Sequence, residues 1–255
     1  MANFIKPKPK SREIFQNQRT VRIFLIVLFL SAALQGAGQG FFLGGSATFG
    51  STWLLNKNVT SAPATDQTYL PSFGGSMGLT GELDFTDKFS IVTGMAFGRH
   101  TQGYKGADLN FKSSVKCDKW DFPVLLKTTA RTGLFFEAGV QFSNFKNIVY
   151  SYSDPLIEMQ EKRITEKYPN TYADAVIGIG LDKKIDFAKW HYRQAFYFSW
   201  GIRFSYSITD LKGVDAYGRD LSWQPVLNAH YEGEHRATHA MAFGLVAGLK
   251  YKITR

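Results

Sequence analysis

Three stretches of this chain, Phe73 to Phe85, Phe196 to Ile208 and Met241 to Tyr251, alternate large apolar residues with small or polar ones, one for one. In the last of them Met241, Phe243, Leu245, Ala247, Leu249 and Tyr251 fall on one face of a strand. Ala242, Gly244, Val246, Gly248, Lys250 and Lys252 fall on the other. A half-buried strand of a soluble sheet averages about 5–6 residues, whereas a tilted strand needs about 9–11 to cross a bilayer. Alternation kept up over that length restricts the chain to a sheet with one face against lipid. Lipid tolerates such a sheet only when it closes on itself, because an open edge leaves N–H and C=O groups without partners.

Period-two scanning predicts eight strands: Phe41–Thr52, Phe73–Phe85, Phe89–Phe97, Trp120–Lys127, Leu134–Ser143, Tyr172–Leu181, Phe196–Ile208 and Met241–Lys252. Thr86-Asp87-Lys88 and Ala130-Arg131-Thr132-Gly133 are tight turns. Pro123 is out of place in its strand, since proline donates nothing to a ladder and marks an edge or bulge. Long connections, Trp53–Ser72, Gly103–Lys112, Ile148–Asn170 and Thr209–Thr238, take turns with short ones near Thr86, near Ala130 and over Lys183–Tyr192. In membrane barrels the short turns are periplasmic and the long loops external, which puts both termini inside. The expected fold is therefore all-β: an eight-stranded antiparallel up-and-down transmembrane β-barrel. A β-sandwich would need its apolar faces to cover one another. No apolar run approaches the ~20 residues of a membrane helix.

The one continuous apolar run, Ile23–Leu34, follows Lys6, Lys8, Lys10, Arg12, Arg19 and Arg22 and precedes Gly36-Ala37-Gly38. A basic segment, a short apolar core and a small-residue exit predict a cleaved signal peptide, residues 1–38, ahead of one barrel domain, residues 39–255. Its removal leaves 24 basic and 20 acidic residues and lowers the formal charge from +9 to +4. The basic excess thus lies mostly in a discarded segment, and nucleic acid is not an expected partner. Cys117 is the single cysteine, which excludes an intramolecular disulfide and a Cys-rich metal site.

Parity places Glu82, Asp84, Asp121, Lys127, Glu137 and Arg203 inside the barrel. An eight-stranded lumen holds side chains or one small ligand, and buried charges must pair. An ion-pair network plugging the lumen is the expected arrangement, with a small-solute channel as the alternative. His230, Glu232, Glu234, His235 and His239 gather in the last long loop. No helix imposes a ligand geometry on them, so they are expected to form a solvated rim rather than a metal site. His100 with Ser151 or Asp154 is the one constellation from which a rim enzyme acting on lipid or peptide could be drawn. Nothing in the spacing requires it, and no pattern calls for a cofactor. Asp154 followed by Pro155 predicts a short helix in the third long loop. Trp53, Tyr69, Trp120, Trp190, Tyr192 and Trp223 are expected at the membrane interfaces.

Several segments together resemble the PorT-like outer-membrane β-barrel family of the Bacteroidota, also called the outer membrane protein beta-barrel domain family. They are Gly44-Gly45-Ser46, the hairpin from Gly81 to Ser90, Phe122-Pro123-Val124-Leu125-Leu126-Lys127, Leu134 to Gln141, and Gly248-Leu249-Lys250-Tyr251-Lys252. The third is similar to the family's "IPLLLK" segment and accounts for Pro123. The resemblance covers essentially the whole mature chain. It implies an eight-stranded barrel in the outer membrane of a Gram-negative bacterium, without established biochemical activity for most members. The partners it implies are outer-membrane lipid and, through the long external loops, another envelope protein.

Overall fold

The structure is a computed structural model that describes residues 40–56, 68–105, 112–154, 157–185, 196–211 and 237–253. Ten strands lie among them: β1 (Gly40–Asn56), β2 (Thr68–Leu70), β3 (Phe73–Asp84), β4 (Phe89–Lys105), β5 (Lys112–Thr129), β6 (Leu134–Asp154), β7 (Ile157–Arg163), β8 (Thr171–Ile185), β9 (Phe196–Ser207) and β10 (Thr238–Ile253). Eight of them close a ring in the order β1-β3-β4-β5-β6-β8-β9-β10. The first and last strands pair antiparallel from Phe41↔Ile253 to Asn56↔Thr238, so the ring has no free edge. Neighbours in the ring are neighbours in the chain, which makes the barrel up-and-down and antiparallel throughout.

Near the short turns every ring strand keeps the alternation that the sequence displays. Large apolar side chains point out and stay uncovered: Phe49 is 65 %, Met77 71 % and Leu245 65 % exposed. A fully paired ring that presents such residues around its whole circumference presents a lipid-facing belt. The belt runs over Phe89–Phe97 of β4, Phe122–Leu126 of β5 and Leu134–Phe142 of β6, about the length that crosses a bilayer.

Beyond the belt three strands run much further than the sequence alternation indicates. β4 continues to Lys105, β5 starts at Lys112 and β6 reaches Asp154, so Gly103–Lys105, Lys112 and Ile148–Asp154, expected as connections, are strand. The polarity of the two faces inverts there. Outside lie Arg99, Thr101, Lys105, Lys112 and Lys116; inside, Leu54, Tyr104, Val115, Cys117, Ile148, Tyr150 and Leu211 form a core with almost no exposure. One continuous sheet is thus a membrane barrel at one end and a water-soluble barrel at the other. The change of rule explains why a search for apolar-out alternation stops at the belt.

Two further expectations differ from the structure. The segment after Asp154 is strand β7, not a helix; it pairs with β6 from Val149↔Arg163 to Asp154↔Ile157. Beyond the ring β6 would expose an unpaired edge, and satisfying that edge outweighs the local capping preference. Pro123 lies on no sheet edge, since β5 has two neighbours. Instead the β4 ladder lapses locally, with Thr93↔Val124 and Ala96↔Asp121 paired on either side and no pair at Pro123.

The long-connection end also contains a seam. β1 pairs with β3 only as far as Ser51↔Phe73, and Pro71 separates β3 from β2, which continues along β4 with its register offset by one residue. Across the opening, side chains replace the ladder. Leu54 N–H donates to Gln102 Oε1 at 3.0 Å and Asn56 N–H to Tyr69 Oη at 2.9 Å. Thr52 Oγ1 donates to the Thr101 carbonyl at 2.6 Å. Tyr69 therefore belongs to the seam and the upper core rather than to the membrane interface. Trp120 does sit at the belt edge, edge-on to Phe97 at 5.2 Å. Trp190, Tyr192 and Trp223, and the expected signal peptide, lie outside the described residues.

Candidate functional site: the barrel lumen

The lumen is layered. At the short-turn end, Lys127 Nζ lies 3.1 Å from Glu82 Oε2 and 2.6 Å from Asp182 Oδ2; Lys250 Nζ lies 2.6 Å and 2.7 Å from the same two atoms. Two ammonium groups and two carboxylates alternate, so the quartet is neutral, and each side chain is at most 10 % exposed. Ser90 Oγ donates to Glu82 Oε1 and Ser199 Oγ to Asp182 Oδ1. The Phe135 ring lies 4.4 Å below Lys127 Nζ and the Phe42 ring 4.8 Å from Lys250 Nζ, which adds cation–π attraction. Gly44, directly across from Lys250, leaves space for this packing: a Cβ there would stand 2.8 Å from Lys250 Cα and Cβ.

Midway along the barrel Arg203 meets Glu137, with Nη2 at 2.6 Å and Nε at 2.8 Å from Oε1. These residues belong to β9 and β6, which are not neighbours; β8 lies between them. Gly178 of β8 pairs with both, and a Cβ on it would come within 2.6 Å of Glu137 Oε1. The bare glycine is what lets the two side chains join across an intervening strand. Val92, Leu125 and Val176 form a small buried apolar cluster of their own.

Next toward the long-connection end, Lys119 Nζ pairs with Asp121 Oδ1 at 2.9 Å. Ser143 Oγ donates to Asp121 Oδ1 at 2.6 Å, while Gln141 Nε2 and Ser143 Oγ reach Asp174 Oδ2 at 3.4 Å. A cavity of about 100 Å³ is lined by Lys119, Asp121, Gln141, Arg203 and His100 among small residues of β1, β3 and β10. Leu79, Val92 and Val246 share the lining with these polar groups, so the space is of mixed character.

Of the six charges that parity places inside, Glu82 and Lys127 fall in the quartet, Glu137 and Arg203 form the middle pair, and Asp121 joins Lys119. Asp84, the last residue of β3, forms no ion pair among the described residues. Sequence reasoning missed Lys119, Asp174, Asp182 and Lys250 as members. All four share parity with inner-face residues, so the signal was present. Asp182 and Lys119 lie one residue beyond the predicted strand ends, and Lys250 and Asp174 sit on faces treated as merely small or polar.

His100 is buried, its ring Nε2 3.0 Å from the Trp53 carbonyl oxygen at the seam. Its ladder partner is Cys117, paired in turn with Ile148, whereas Ser151 pairs with Ser114, three residues along and hence on the opposite face. Ser151 Oγ donates to Glu161 Oε1 instead. The structure therefore does not bring His100 and Ser151 together, and the Asp154 side chain lies outside the described residues. His239 stacks on Tyr206 and hydrogen-bonds the Ser207 carbonyl through Nδ1. His230, Glu232, Glu234 and His235 lie outside the described residues. Among those described, no group of three His, Cys, Asp or Glu side chains is placed to hold a metal.

Comparison with solved structures finds Ail, the attachment invasion locus protein of Yersinia pestis, in complex with the heparin analogue sucrose octasulfate. It shares 8 % identity over 83 % of this chain and 99 % of its own, with a TM-score of 0.42. The outer membrane protein OprG of Pseudomonas aeruginosa shares 13 % identity over 87 % and 99 %, TM-score 0.42. Neisserial surface protein A shares 11 % over 84 % and 97 %, TM-score 0.32. No curated protein sequence matches the chain. Residues 16–213 match a family model, and with a lipid-belted ring closed by β1 and β10 the chain belongs to that family: the outer membrane protein beta-barrel domain family.

Proposed function

We propose that this integral outer-membrane barrel is a closed, side-chain-filled member of the PorT-like group of the Bacteroidota, with a structural or interaction role and no catalysis. One observation carries the reading. The neutral Lys127, Lys250, Glu82, Asp182 quartet spans the lumen at the short-turn end with almost no exposure. A conducting pore would need that cross-section open to water, and buried ions held by partners of opposite sign stay in place. Separation of His100 from Ser151 removes one of the two pairs from which a rim enzyme could be drawn. On this reading residues 1–38 are a signal peptide, cleaved just before Gln39, one residue ahead of β1. The quartet faces the periplasm, and the tall wall of β4, β5, β6 and β7 faces outward, where it can meet another envelope protein.

Planar-bilayer recording on refolded protein tests this directly. The expected trace has no sustained open state at either polarity. A large, steady conductance that changes in Glu82→Gln or Arg203→Gln would replace the closed barrel with a small-solute channel.

A further inference from the structure

Just beyond the lipid belt, the outward-facing cations among the described residues lie on the β4–β7 side of the barrel. On β5 the outward positions after Trp120 are Asp118 and Lys116; on β6, after Phe142, they are Asn144 and Lys146. Lys116 pairs with Val149, and Val149 with Arg163 of β7, so Lys116 and Arg163 flank one residue in a single row. Arg163 Nη2 donates to the Lys146 carbonyl at 3.4 Å, which brings the third cation beside them. Neither Lys116 nor Lys146 forms an ion pair among the described residues. Of the carboxylates on this face, Asp118 takes both Nε and Nη2 of Arg99, and Glu161 accepts from Ser151 Oγ.

On β8, β10, β1 and β3 the corresponding described residues are neutral or aromatic. β8 leads to Thr171, β10 to Met241 and His239, β1 to Ser51 and Trp53, and β3 ends at Phe73. None of these strand ends carries Lys or Arg among the described residues.

We infer that Lys116, Lys146 and Arg163 form a binding surface for the phosphate groups of outer-leaflet glycolipid. Height and charge both point there. Four residues past the belt is about 13 Å along a strand, or about 10 Å along the membrane normal at a tilt of about 40°. That distance is within side-chain reach of the headgroup layer, into which long cationic side chains extend. Cations with no ion pair among the described residues, at the level of a phosphate layer, are complementary to it. The inference rests on the reading above, that the long-connection end faces outward.

Native mass spectrometry on the refolded full chain, with bisphosphorylated lipid A and with the same lipid stripped of phosphate, tests it. Wild type is expected to retain the phosphorylated lipid and to hold the stripped one poorly. Lys116→Gln, Lys146→Gln and Arg163→Gln combined should weaken retention about a hundredfold. Lys88→Gln, Arg131→Gln and Lys183→Gln, the same charge loss on exposed residues at the other end, should leave it unchanged. Retention of phosphorylated lipid by the first triple variant at the wild-type level, or equal retention of the stripped lipid, would overturn the inference and leave the face to a protein partner. The same samples run unheated on a gel report whether the barrel has formed, which separates loss of the lipid surface from loss of the barrel.

Discussion

At the scale of single residues, the quartet makes a sharp demand on charge balance. Lys250→Met leaves Glu82 and Asp182 sharing Lys127 alone, and an uncompensated buried charge costs about 3–5 kcal/mol. The expected result is a clear fall in the urea midpoint of the refolded barrel. Lys250→Met with Asp182→Asn removes one charge of each sign, and should recover most of that loss. A double variant no more stable than the single one would show that the quartet does not act through neutrality. Gly178 deserves the same scrutiny as the charges, because the Arg203–Glu137 pair exists only where β8 carries no side chain.

At the scale of elements, the seam between β1 and β2 predicts where the sheet is weakest. Gln102 is fully buried; its Oε1 accepts the Leu54 N–H and its Nε2 donates to the Gly103 carbonyl at 2.6 Å and the Leu70 carbonyl at 3.3 Å. Gln102→Ala leaves those backbone groups without partners, at about 1–3 kcal/mol for each one kept dry. Hydrogen exchange should quicken at Leu54 and its neighbours while the belt strands keep their protection. Uniform quickening around the ring would contradict a local seam. The contrast between belt and seam also marks what the sequence makes legible. All eight ring strands show in the alternation, because lipid imposes one rule, apolar outward, over a fixed length. The upper tier does not show: in β4 the rule reverses after Phe97, and a scan tuned to the first rule ends there. β7 is hidden for a different reason, since Asp154 and Pro155 favour a helix start locally and only the exposed edge of β6 overrides them. In the lumen, parity locates the charged residues but not their partners. The pairing of Glu137 with Arg203 across Gly178, or of Lys250 with Glu82, depends on the stagger of the closed ring, which no single strand encodes.

At the scale of the whole molecule, one barrel joins a lipid-facing ring to a taller, water-facing wall with an apolar interior. Deleting residues 238–255 removes the partner of β1 along its whole length and opens two edges in the bilayer, each lined with unpaired backbone groups. The truncated chain is expected to show no compact, heat-sensitive band on an unheated gel, whereas trimming only residues 254–255 should leave that band intact. The union of first and last strands also sets a timetable. Contacts of large sequence separation form last and slowly, and here the pairing that closes the ring joins Phe41 to Ile253 and Asn56 to Thr238. Until then the chain travels with its lipid-seeking faces uncovered, an aggregation hazard. Closing the ring is thus the step at which β1 and β10 must find one another before either open edge pairs with a second chain.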